Sequence, residues 1–216
     1  MRRVLLLAVL AGCATEPVET YPASVYWMEW PIIAYAGTPV PVRLLGGLPV
    51  CRYDERLETT PSVVAKAVTF EPRMLGRSTR PCLQARIVVS TFDTVTMMAG
   101  LATGSYEMRA AVAWRLMVAQ GGLPIETFGI MTVLAGIDPD SVISPSSVAA
   151  AGGLVVARRD SAGCLRIRPV GMAGTYVVEN PPDSSSQWTA AVEGYIYEPA
   201  VGACGAQFVF HLTARK

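Results

Sequence analysis

The chain has 216 residues, which at roughly 100–200 residues per domain admits one large domain or two small ones. Its 18 Lys and Arg stand against 17 Asp and Glu, a net charge of +1, and this balance argues against a nucleic-acid partner, which would need a basic face or stripe. Hydrophobic residues make up 51%, yet the longest apolar stretches, 128–137 and 148–157, are broken by glycines and fall well short of the 18 or so residues of a spanning helix.

Met1-Arg2-Arg3 is a short basic start, followed by an apolar run over 4–11 and then Gly12-Cys13. A charged beginning, a brief hydrophobic core and small residues at a cut site make a secretory signal. Leu10-Ala11-Gly12-Cys13 resembles the lipobox of bacterial lipoproteins. The resemblance covers only this leader. It implies a signal peptide over 1–12, cleavage before Cys13, acylation of that cysteine and a membrane partner reached through the N-terminal lipid. Each buried methylene contributes about 0.8 kcal/mol, so one acyl chain binds reversibly and several hold almost permanently. Residues 13–24 then read as a lipidated tether, because Glu16, Pro17, Glu19, Thr20 and Pro22 interrupt any periodic pattern. Ala14, not Asp, follows the lipid cysteine. In Gram-negative relatives of this signal that implies transfer to the outer membrane. The expected location is the cell envelope, outside the cytoplasm, on the periplasmic face of the outer membrane or on the cell surface.

Residues 25–135 carry the signals of a β domain. Tyr26, Trp27 and Trp30 open it; as aromatics they are candidates for a binding surface, together with Trp188. The preferred reading is that the first cluster packs as an edge strand and Trp188 plugs a second core. Short apolar or β-branched runs follow at 31–36, 40–45, 63–70, 83–89, 92–98, 105–114 and 127–134, bounded by Gly and Pro. That spacing predicts a sandwich or barrel rather than alternating helices. Leu101-Ala102-Thr103-Gly104-Ser105-Tyr106-Glu107-Met108-Arg109 resembles the tyrosine-corner segment of immunoglobulin-like and fibronectin-like sandwiches. The resemblance spans nine residues and implies an immunoglobulin-like β-sandwich in which the Tyr106 hydroxyl bonds back to the backbone. Cys51 and Cys82 are too close in sequence for the usual Cys–Trp–Cys arrangement of that family.

Turn chemistry in Asp138-Pro139-Asp140-Ser141 and Ser144-Pro145-Ser146-Ser147 places a linker over 136–152. A small β domain is expected over 153–216, with strands at 153–158, 164–168, 175–179, 190–197 and 207–213. A turn is expected at 160–163 and a polar loop at 180–187. Five strands in that span suit a small β-barrel or compact sheet, of the OB type. The loop is the best candidate for a ligand-facing element, since functional residues ride on loops over a rigid scaffold.

Setting Cys13 aside leaves Cys51, Cys82, Cys164 and Cys204, an even number that suggests two disulfides with three pairings. The chain layout favours Cys51–Cys82 and Cys164–Cys204, each within one half. Their spacing lacks any C-x-x-C or nearby histidine, so no metal or cofactor is expected. His211 is the sole histidine. It is read as a surface or half-buried strand residue rather than a general base, there being no G-x-S-x-G elbow to supply a serine. Asp54-Glu55 and Asp138/Asp140 read as turn residues. Lys66 and Lys216 are the only lysines, and this preference for arginine reads as genomic composition rather than carboxylate or phosphate recognition. No catalytic residues are assigned. The expectation is a lipid-anchored envelope protein that binds or supports, with an envelope protein or glycan as partner. The alternatives are a small extracytoplasmic hydrolase or sugar-processing enzyme using carboxylates and, behind it, a membrane-embedded β-barrel.

Overall fold

A computed structural model describes residues 18–49, 53–77, 89–112, 123–136, 148–182, 186–199 and 203–216. Among these the chain is mainly β, with one short 3-10 turn at Ala203–Gly205. In chain order the strands are β1 (Val18–Pro22), β2 (Ser24–Pro31), β3 (Ile33–Tyr35), β4 (Val40–Pro49), β5 (Tyr53–Glu58), β6 (Ser62–Val64), β7 (Ala67–Phe70) and β8 (Arg73–Arg77). They continue as β9 (Val89–Met98), β10 (Gly104–Ala111), β11 (Ile125–Leu134), β12 (Ala149–Arg159), β13 (Leu165–Pro169), β14 (Tyr176–Val178), β15 (Gln187–Tyr197) and β16 (Val209–Arg215).

Three sheets result. β1, β8 and β5 form a small antiparallel sheet. β3, β11, β10, β7 and β6 form a second, in that order, with parallel pairs at β3–β11 and β7–β10. The third runs β13-β14-β16-β15-β12-β2-β4-β9, and β13 also pairs with β12. That extra pairing closes β12, β13, β14, β16 and β15 into a five-stranded barrel, in the region where a small barrel or compact sheet was expected. Its interior is filled by side chains, Val155, Ile167, Phe210 and Leu212 among them, as in other small barrels.

A second core lies between the β2-β4-β9 part of the long sheet and the five-stranded sheet. Val25, Met28 and Trp30 meet Val42, Leu44, Phe70, Met108, Phe128 and Met131 there. β2 therefore serves both cores. A bulge between Val25 and Trp27 leaves Tyr26 as the extra residue, so Trp27 enters the barrel core while Val25 and Met28 face the other way. In the barrel Trp27 lies 6.1 Å from the Tyr176 ring and 5.8 Å from the Phe210 ring, centroid to centroid. β12 meets β2 closely: Gly153 has φ +143, and a Cβ there would collide with the Tyr26 carbonyl oxygen.

Several expectations are corrected. Residues 18–22, expected within the tether, pair antiparallel with β8 as β1, because Val18 to Pro22 finds a full register against Arg77 to Arg73. The cluster expected on an edge strand sits on β2, between β12 and β4. The run 63–70 is a hairpin, not one strand. Ala65 and Lys66 both take positive φ, 47 and 66, and turn β6 back onto β7. Of the expected linker, residues 149–152 belong to β12 and pair with β2, so the two predicted units share a sheet. Of the strand expected over 83–89, residues 83–88 lie outside the described residues, as do Asp138 and Asp140, while Val89 opens β9. The Tyr106 hydroxyl donates to the Ala102 carbonyl at 2.8 Å, the bond implied by the tyrosine-corner likeness. Lys66 adds a bond to the Thr103 carbonyl and a contact over the Tyr106 ring, 4.6 Å from its centroid.

Candidate functional site

The β12–β13 hairpin presents the most distinctive chemistry among the described residues. Its register sets Ala157 opposite Ile167, Arg158 opposite Arg166 and Val156 opposite Arg168. Strand alternation sends Val155, Ala157, Leu165 and Ile167 into the barrel and Val156, Arg158, Arg166 and Arg168 outward. The turn between the strands is organised by Asp160. Its Oδ1 accepts the backbone N–H groups of Ala162 and Cys164, each at 3.0 Å, and its Oδ2 accepts Arg166 Nε at 2.7 Å. The Arg166 hydrogen bond, then the Cys164 amide, hold the Asp160 carboxyl below the usual carboxylate range. Gly163, at φ +82, completes the turn, and its carbonyl accepts Arg159 Nη1 at 2.9 Å.

Cys164 follows the turn and forms a disulfide with Cys204, Cα to Cα 6.2 Å. Arg166 Nη2 donates to the Cys204 carbonyl at 3.2 Å, so the 203–205 turn is fixed beside the hairpin covalently and by a charge-assisted bond. On the other flank the Arg159 amide donates to the Ser186 carbonyl at 2.8 Å, and Gln187 lines the same space. Between these walls lies a cleft of about 550 Å³ lined by Arg158, Arg159, Arg166, Arg168 and Asp160. Among the described residues, four guanidiniums and one carboxylate line this cleft. Arg159 and Arg166 are engaged as above; Arg158 and Arg168 carry no carboxylate partner among the described residues.

No family model matches the chain, and comparisons with curated proteins and with solved structures return no match.

Trp27 and Trp30 are 0% and 2% exposed, so neither is presented to a partner; the binding-surface reading is corrected for both. Trp188 caps the barrel core, half-buried, with the Arg215 guanidinium 5.2 Å from its ring centroid. Asn180, the first residue of the expected loop, bonds both ways to Leu212 of β16, at 2.9 and 2.8 Å, and so begins the loop as an anchored residue. His211 lies on the outer barrel face, where Nδ1 meets Glu179 Oε2 at 3.0 Å, both side chains near half exposed. The Tyr197 hydroxyl, then His211, lower the Glu179 carboxyl. Cys13, Cys51 and Cys82 lie outside the described residues, while Asp54 and Glu55 fall on β5.

Two features went unread in the sequence. The arginine cleft had a signal, four arginines between positions 158 and 168. The alternation of Arg166 and Arg168 with Leu165 and Ile167 was visible, but the register against Arg158 needs the barrel. The second feature is the Glu29 network. This carboxylate accepts Trp27 Nε1 at 2.8 Å, the Tyr176 hydroxyl at 2.9 Å and Arg43 Nη1 at 3.3 Å. Arg43 also forks onto Asp93 at 2.9 and 2.7 Å. Burial, then Glu29, push the Tyr176 hydroxyl well above the usual tyrosine value. Glu29 and Tyr176 are 147 positions apart in the chain, and no local pattern connects them.

Proposed function

We propose that the chain is an exported lipoprotein of the cell envelope, tethered through acylated Cys13, whose body is a binding module without chemistry of its own. The Cys164–Cys204 disulfide is the observation that carries this reading, since such bonds persist in oxidising compartments and are rare in the cytosol. The Leu10-Ala11-Gly12-Cys13 leader agrees with it, and Ala14 points to the outer membrane as destination. The body's chemistry favours binding over hydrolysis. Its barrel interior is filled, and the carboxylates Glu29, Asp93, Asp160 and Glu179 are each engaged by Arg43, Arg166 or His211. An envelope protein or glycan is the partner class, met by the outer face of the barrel.

In the same reading the first half is an immunoglobulin-like sandwich of unusual strand order. The Tyr106–Ala102 bond and the antiparallel β2–β4–β9 set support the likeness. The parallel β7–β10 pair departs from the two antiparallel sheets of that fold.

Replacement of Cys13 by Ser in the producing cell tests the anchor. The variant is expected to leave the membrane fraction and appear soluble outside the cytoplasm. Retention in the membrane fraction at the wild-type level would overturn the tether.

A further inference from the structure

We propose that the arginine cleft between the β12–β13 hairpin and Gln187 binds a phosphate group carried by an envelope ligand. This rests on the reading of the body as a binding module and names the chemistry it takes. Arg158 and Arg166 are directly opposed on an antiparallel ladder, and Arg168 sits on the neighbouring diagonal, roughly 7–8 Å away by strand geometry. Like charges so placed destabilise the bare sheet. Asp160, the one carboxylate lining the cleft among the described residues, is engaged by Arg166 and the turn, which leaves Arg158 and Arg168 as an excess of two positive charges among those residues. A doubly charged phosphate matches that excess better than one carboxylate would. Guanidinium groups also bind phosphate oxygens in bidentate fashion, which suits Arg158 and Arg168, the two without a carboxylate partner among the described residues.

The cleft is built before any ligand arrives. Asp160 sets the Arg166 fork, the Cys164–Cys204 disulfide and the Cys204 carbonyl fix one wall, and the Ser186 carbonyl bonded to the Arg159 amide fixes the other. Such preorganisation lowers the entropy lost on binding. Thr175 and Gln187 stand at the rim as neutral hydrogen-bonding groups for whatever bears the phosphate.

The source of the phosphate is either a soluble phosphorylated sugar or a phospholipid headgroup. The test uses the full chain carrying Cys13→Ser, so that acyl chains contribute nothing to vesicle binding. The probes are inorganic phosphate, glucose 6-phosphate, unphosphorylated glucose and vesicles of phosphatidylcholine with or without phosphatidylglycerol. Each is measured with and without the Arg158→Gln/Arg168→Gln pair. Saturable binding of the soluble phosphates, weakened at least tenfold by the double variant, supports the cleft with a soluble ligand. Binding confined to phosphatidylglycerol vesicles and lost in the double variant supports it with a headgroup. An unchanged or raised melting temperature in the double variant shows that lost binding is not lost folding. Equal phosphate binding by both proteins, or no binding of any phosphate probe, overturns the proposal. Capture of unphosphorylated glucose alone also overturns it, while leaving the binding-module reading intact.

Discussion

Asp160 accepts two backbone amides and one guanidinium, so its removal acts on the turn and on Arg166 together. Asp160→Asn keeps the shape and removes the charge. It is expected to lower the melting temperature and to broaden the amide resonances of residues 160–164, and unchanged spectra over that turn would refute the role given to this side chain. Its folded-state ionisation is depressed, so its contribution is fully present above the ordinary aspartate value of about 4 and is lost as pH falls through the depressed value. Tyr176 has the opposite sign. Its raised ionisation means that its contribution is intact below about pH 10 and fades at higher pH, as the unfolded chain ionises first. A tyrosinate absorbance titration should show a late-titrating component that is lost in Tyr176→Phe. Gly153→Ala places a Cβ against the Tyr26 carbonyl at a positive φ, and is expected to cost about 2–4 kcal/mol by denaturant titration.

The elements that sequence reading located best are those of the barrel. Alternation in Leu165-Arg166-Ile167-Arg168, the Asp160-Ser161-Ala162-Gly163 turn and the closing run around Phe210 correspond to β13, its preceding turn and β16. There the local signals and the tertiary register agree. The β6–β7 hairpin was hidden because Ala65 and Lys66 carry none of the Gly, Asn or Asp chemistry of a tight turn. Contacts of Lys66 with Thr103 and Tyr106 hold it there instead, and these come from 37 and 40 positions away. β1 was hidden for a related reason: a Pro-bearing polar stretch reads as extended linker until a partner strand, β8, is supplied. The Cys164–Cys204 staple was legible from chain layout, whereas the arginine cleft it frames was not, since composition alone had accounted for the arginines. Closing a 40-residue separation, this disulfide contributes about 4 kcal/mol in the loop-entropy model. Cys204→Ser should show that loss in urea, and reduction of the wild type should reproduce it.

At the scale of the whole molecule, β2 joins the two cores through one strand. Its Trp27 face belongs to the barrel and its Met28 and Trp30 face to the other core, while Glu29 ties Tyr176 of β14 to Arg43 of β4. Unfolding either core exposes part of the other, which predicts a single calorimetric transition with matching van't Hoff and calorimetric enthalpies. Two resolved transitions would mean that the shared strand does not couple them. Compartment and anchor depend instead on the leader and the thiols, and both are read in one experiment. Intact-mass and peptide analysis of the protein purified from its native membranes, without reductant, should give a mature chain starting at acylated Cys13 with Cys164 and Cys204 linked. An unacylated chain that keeps residues 1–12 and shows free thiols at Cys164 and Cys204 would contradict the account.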